Sequence, residues 1–192
     1  MAKTTLPSPG RPARRRKGNN LNTSALFSTC RLYRYTLHRI WNEKKPYVAF
    51  VGLNPSTADE RKNDPTVARC VRYASDWKYG GMVMLNIFAY RSTNPAALYK
   101  LDEPVGAEND AYIADLARNA GLVITAWGNH GAYKGRGQEA LKLLLDATQG
   151  RVHHLGLTGD GHPRHPLYLK ATEKPRLWAQ TEWLAYGIRR GG

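Results

Sequence analysis

Four short apolar runs punctuate the chain, at residues 47–53 (YVAFVGL), 82–89 (MVMLNIFA), 122–127 (LVITAW) and 152–157 (VHHLGL). Each has the length of a strand, and the first three are continuously apolar or nearly so, as strands buried on both faces are. Between the first two, the segment DPTVARCVRYASDW places Val67, Cys70, Val71, Ala74 and Trp77 at helical spacing. Asp64 is the expected N-cap of that helix, with Pro65 in its first turn. Further helices are expected over residues 109–120, 136–148 and 173–186. Strands alternating with helices predict right-handed βαβ units. The fold class is therefore α/β, a three-layer α/β/α sandwich with a central, mainly four-stranded parallel sheet.

Residues 1–20 break this pattern. They are rich in Pro, Gly and Arg and hold almost nothing to bury, so they read as a disordered basic arm followed by one domain over 21–192. The arm carries six of the chain's 29 Lys and Arg, among them Arg14, Arg15 and Arg16, and no acid. The remaining 23 cations still outnumber all 15 acids, so the net charge of +14 belongs to the folded body as well. A polyanion, DNA, is the expected partner, because each neutralised phosphate releases counterions. No apolar run approaches the ~20 residues of a membrane helix, and the N-terminus lacks the apolar stretch of a secretory signal. Cys30 and Cys70 cannot build a disulfide framework. A cytoplasmic, monomeric protein without membrane attachment is expected.

In parallel α/β sheets, ligands bind beyond the carboxyl ends of the strands. The first predicted strand ends in Gly52-Leu53-Asn54-Pro55-Ser56, where Pro55 fixes the turn and holds a polar amide at the mouth of the sheet. The second is interrupted by Asn86, an amide that must find partners or cost about 1–3 kcal/mol. One acceptor and two donors suit it to reading the edge of a nucleobase. The third ends in Trp127-Gly128, and after the fourth comes a loop containing Arg164-His165-Pro166-Leu167-Tyr168-Leu169.

The set GLNPS, VMLNIFAY, VITAWG and HPLYL, in that order over roughly residues 47–170, resembles the uracil-DNA glycosylase superfamily. The pattern is also similar to a small bacterial and phage family of unassigned function. The resemblance implies a DNA glycosylase that hydrolyses the N-glycosidic bond of an extruded base and needs no cofactor and no metal. Asn54 would position the water, as in the mismatch-directed branch that carries Asn there, with Asp59 as a second candidate to orient it. His165 would hydrogen-bond the anion developing on the departing base, and Asn86 its edge. Leu169, fifth in HPLYL, would wedge into the duplex, with Leu167 or Tyr168 sharing that task. Phe88 or Tyr90 would stack on the flipped base. Ser56 replaces the aromatic residue of the uracil-selective pattern, which implies a larger, 5-substituted pyrimidine such as phage DNA carries, in repair or in defence against such phage. Gly159, Gly161 and Arg164 would replace the missing serines of the HP loop on phosphate, through backbone amides and charge. Lys134 and Arg136, in a basic glycine-rich loop without GxGxxG spacing, would contact the backbone.

Two other readings stand beside this one, a nucleotide- or RNA-level base hydrolase of the same fold and a non-catalytic DNA-binding module. Asp64 reads as a cap more than as a catalyst. His153, His154, His162 and His165 lack the spacing of a specific zinc site. Neither a P-loop nor a GxSxG nucleophile elbow is present.

Overall fold

Val48, Ala49, Phe50 and Val51 have no exposed surface at all, which places β3 (Tyr47–Gly52) at the centre of the molecule. The computed structural model describes residues 22–188. Its elements are β1 (Asn22–Phe27), β2 (Arg34–Ile40), β3, α1 (Pro65–Asp76), β4 (Gly81–Asn86), α2 (Asn109–Arg118), β5 (Leu122–Thr125), α3 (Arg136–Thr148), β6 (Val152–His154), β7 (Arg176–Leu177) and α4 (Gln180–Ile188). The arm with Arg14, Arg15 and Arg16 lies outside the described residues.

The seven strands form one mixed sheet in the order β1-β2-β4-β3-β5-β6-β7. The four predicted strands are its centre, and β4, β3, β5 and β6 run parallel to one another. The sheet is wider than expected, because β1 and β2 add an antiparallel pair beyond β4, and β7 pairs antiparallel with β6. The tail helix accordingly begins at Gln180, after β7, rather than near residue 173.

Alternation along β3 and β4 divides the core into the two halves of a sandwich. Val48, Phe50, Met82 and Met84 pack with Val67, Cys70, Tyr73 and Ala74 of α1. Ala49, Val51, Val83 and Leu85 pack on the other side with Ile113 and Ala117 of α2 and Ala140, Leu141 and Leu144 of α3. Asp64 caps α1 as its sequence predicts, accepting from the Val67 N–H at 2.8 Å, with Pro65 in the first turn.

The chain therefore leaves adjacent parallel strands in opposite directions, from β3 to α1 on one face and from β4 toward α2 on the other. That divergence opens a crevice at the carboxyl ends of β3 and β4, the position where open α/β sheets hold ligands. Gly52 and Asn86 are register partners at its floor.

Two arginines of β2 brace the loop above the crevice. The Arg39 guanidinium donates to Asn63 Oδ1 at 2.8 Å and to the Asp59 carbonyl at 2.6 Å. Arg34 Nη1 donates to the Ala58 carbonyl at 2.7 Å. Both side chains are almost fully buried, so their charges are accommodated by carbonyl oxygens rather than by carboxylates.

Candidate functional site

A cavity of about 490 Å³ occupies the crevice, within the size range of small-molecule sites. Asn86 forms part of its wall and is 1% exposed. Its Oδ1 and Nδ2 are both buried, and neither has a partner. The amide lies across Gly52, where an added Cβ would stand 3.1 Å from Oδ1. Glycine at 52 thus leaves room for the Asn86 side chain, whose amide is held at the cavity wall with neither polar atom partnered among the described residues.

Asn54 stands on the same wall, after β3. Its Nδ2 donates to the Ser92 carbonyl at 2.8 Å, with longer contacts to the Pro55 and Tyr90 carbonyls. Three carbonyls around one side of the amide fix its orientation. Oδ1 is left as an acceptor without a partner among the described residues. Ser56 follows on the cavity wall, half-buried.

His165 enters from the loop after β6. It caps the short 3-10 turn Pro166–Tyr168, its Nδ1 facing the Leu167 N–H at 3.4 Å. That contact assigns the remaining proton of the neutral ring to Nε2. Burial pushes the imidazole pKa down, and the Asp64 carboxylate opposes the shift. The ring is therefore a neutral N–H donor at physiological pH.

Two charged residues complete the wall that sequence reasoning did not place there. Arg34 and Asp64 both line the cavity. Asp64 is 8% exposed and serves as a cap and as a cavity residue at once. Its position after the first predicted strand was legible, but its direction was not. Arg34 gave no signal, because an arginine in a strand reads as a surface position.

Trp127 and Gly128 form a further wall. Trp127 is held by its Nε1 donating to Tyr186 Oη at 3.0 Å, and Gly131 and Gly137 approach it too closely to carry a side chain. Gly128 has φ 68° and ψ −167°, a region that only glycine occupies readily, and open space lies beside its Cα. Around the rim, Thr158 Oγ1 donates to Asn129 Oδ1 and Asn129 Nδ2 to Asp160, at 2.8 and 2.9 Å. Arg164 is exposed at this rim, and Tyr168 is 80% exposed beside His165.

The cavity thus gathers Asn54, Ser56, Asn86, Arg164, His165, Leu167 and Tyr168 of the residues singled out in the sequence. Six other side chains stand elsewhere, for identifiable reasons. The Asp59 carboxylate closes a turn by accepting from the Arg61 and Lys62 N–H groups, each at 2.8 Å. Those bonds hold its carboxyl below the usual carboxylate range, opposite to what a general base needs. Leu169 is 7% exposed and packs in the α1 half of the core, so it is not a free wedge. Phe88 has no exposed surface and lies in the other half, near Tyr133. Tyr90 is half-buried, edge-on to Tyr33. Arg136 is 4% exposed, with Nε donating to the Ile87 carbonyl at 2.8 Å and its other nitrogens on Asp110. Lys134 is exposed away from the cavity and donates to the Asp102 carbonyl at 3.0 Å.

The four clustered histidines do not converge. His162 Nδ1 meets Tyr186 Oη at 3.0 Å, while His154 Nδ1 accepts from the Gly156 N–H and its Nε2 faces Glu182. Among the described residues no helix is long and apolar enough to cross a membrane.

Fold and cavity together define a protein of the three-layer α/β class with a pocket at the switch point of its parallel strands, its walls carrying Arg34, Asn54, Asp64, Asn86 and His165. Residues 34–167 match the model of a family described as proteins of unknown function (DUF1643), and the chain belongs to that family. The match runs from Arg34 to Leu167 and so takes in every cavity residue named above except Tyr168. No curated protein and no solved structure matches the chain.

Proposed function

We propose that this protein is a DNA glycosylase that hydrolyses the N-glycosidic bond of an extruded, 5-substituted pyrimidine and leaves an abasic site, as the resemblance to the uracil-DNA glycosylase superfamily implies. The observation that carries the reading is Asn86, whose buried amide lacks a partner at both polar atoms on the cavity wall. A pyrimidine edge offers adjacent donor and acceptor groups and would satisfy both.

In this reading the C1′–N bond breaks with its electron pair passing to the base. His165 donates from Nε2 to the oxygen where that charge collects. Asn54 Oδ1 holds the water that adds to C1′, and the proton the water loses ends on the departed base or in solvent. Asn54 is no base, which suits a dissociative path in which stabilising the leaving group matters more than activating the nucleophile. Ser56 leaves space beside C5 that a larger residue would fill. Tyr168 takes over the wedge role from the buried Leu169, and Arg164 meets backbone phosphate. The enzyme acts as a cytoplasmic monomer, in repair or in defence against phage with modified DNA, and the net charge of +14 supports DNA as its polymer.

The test is alkali-revealed strand breakage on DNAs carrying uracil, thymine mismatches or 5-substituted pyrimidines, including genomic DNA from modified phage. Breaks confined to one base type are expected, with loss in Asn54→Ala and His165→Ala while DNA affinity is kept. Salt-dependent binding without breaks on any DNA would refute the enzyme and leave a binding module. Release of base only from free nucleotides or RNA would refute the DNA substrate.

A further inference from the structure

Arg34 lines the cavity while only 1% exposed. Its Nη1 is committed to the Ala58 carbonyl at 2.7 Å. Its Nε is buried with no partner, and nothing among the described residues accepts from Nη2. The unused Nε–Nη2 edge is the fork with which arginine grips a carboxylate or phosphate through two parallel hydrogen bonds.

The surrounding charges favour an anion. Arg39 and Arg91 add positive charge around Arg34, and Asp64 opposes them. Asp64 does not close an ion pair with the guanidinium, and one of its oxygens is already spent on the Val67 N–H. Burial lowers the Arg34 pKa to about 10, so the group remains a cation at neutral pH. The first turn of α1 presents Thr66 and Val67 on the same wall, where the helix dipole is positive.

We infer that the Nε–Nη2 edge of Arg34 is an oxyanion subsite of the cavity, built for a carboxylate or for two oxygens of a phosphate. The inference rests on the base-binding reading above and sharpens it. With Asn86 on the base edge, the oxyanion belongs to an acidic substituent at C5, in the space that Ser56 leaves. A free nucleotide would bring the same chemistry through its phosphate, whereas the backbone phosphates of DNA stay at the rim near Arg164.

The experiment is calorimetric binding to the full chain of uracil, 5-hydroxymethyluracil, 5-carboxyuracil and dUMP. Binding of 5-carboxyuracil about tenfold or more tighter than 5-hydroxymethyluracil is expected. In Arg34→Lys, which keeps the charge and loses the fork, that preference should fall to within about threefold. Tighter binding of dUMP than of 5-carboxyuracil would also support the subsite and assign it to phosphate. Equal binding of all four overturns the subsite and leaves the base reading intact, and binding of none overturns both. If Arg34→Lys does not fold, the wild-type preference alone decides.

Discussion

The isosteric replacement Asn86→Leu separates a functional amide from a structural one. Leucine keeps the branch at Cγ with two terminal atoms, so it changes polarity with little change of shape. The wild-type side chain buries one acceptor and one donor group without partners, and each such orphan costs about 1–3 kcal/mol. The gain from removing both is limited by crowding, since Oδ1 and Met84 Cε already stand 3.1 Å from where a Cβ on Gly52 would sit. A methyl in place of that oxygen would cost about 1 kcal/mol or more in overpacking. With about 1 kcal/mol of relief at each of the two orphans against about 1 kcal/mol of overpacking, a net stabilisation of about 1 kcal/mol is expected, which for a domain of this size raises Tm by about 2–4 °C. Thermal unfolding followed by circular dichroism reads this directly. In parallel, strand breakage on the DNA substrate should vanish. Stability gained together with activity lost is the signature of a residue kept for its ligand. A fall in Tm by several degrees would refute the reasoning, because it would mean that the amide has partners in the folded protein and serves the fold.

Three further outcomes follow from the placement of residues. Arg136→Met should lower stability by about 2 kcal/mol, less than for a fully buried pair because Asp110 is half-exposed, and should leave the salt dependence of DNA binding unchanged. A urea titration and a salt series of DNA affinities check both halves, and a lowered salt slope would return Arg136 to the DNA interface. Leu169→Ala should cost about 2–5 kcal/mol as a core truncation, whereas Tyr168→Ala should leave stability within about 0.5 kcal/mol and reduce excision from duplex DNA more than from single strands. Unfolding midpoints and the duplex-to-single-strand activity ratio decide, and the reverse pattern would restore Leu169 as the wedge. Burial lowers the pKa values of His38, His153, His154 and His165. The unfolded chain then binds more protons than the folded one below about pH 6.5, so stability is full above that value and declines as pH falls through it. Urea midpoints between pH 5 and 8 should show that decline, and a flat profile would contradict it.

The central strands were legible because burial on both faces demands unbroken apolar runs, and β3, β4 and β5 are such runs. Asn54, Asn86 and His165 were legible for a related reason, as polar groups standing where those runs end. β2 was not, since RYTLHRI carries two arginines through a buried strand. Their charges are met by carbonyls and an amide in the loop at residues 58–63, contacts made over twenty or more positions and invisible locally. The aromatic assignment failed at the strand end. β4 stops at Asn86, alternation stops with it, and Ile87 and Phe88 both turn into the same half of the core. Position in a motif misled likewise at HPLYL, where the 3-10 turn at Pro166 sends Tyr168 outward and Leu169 beneath α1.

What separates the cavity from an imperfection of packing is where the unsatisfied groups fall. Orphaned side-chain atoms elsewhere among the described residues occur one to a residue, at Arg91, Asn109, Gln138, His153 and His154, none of which lines the crevice. The crevice holds three, both polar atoms of Asn86 and Nε of Arg34, together with Asn54 Oδ1 turned free by the bonds on its nitrogen. Desolvation of each costs free energy, and Asp64 lies near enough to Arg34 to influence its charge yet closes no ion pair with it. In the proposed reading, the donors and acceptors left open together, on walls braced by Arg39 on one side and by the Trp127–Tyr186 pair on the other, would meet the donors and acceptors of a planar base. The polar pattern at the strand ends thus acquires its meaning only when the sheet brings the ends of β2, β3 and β4 side by side.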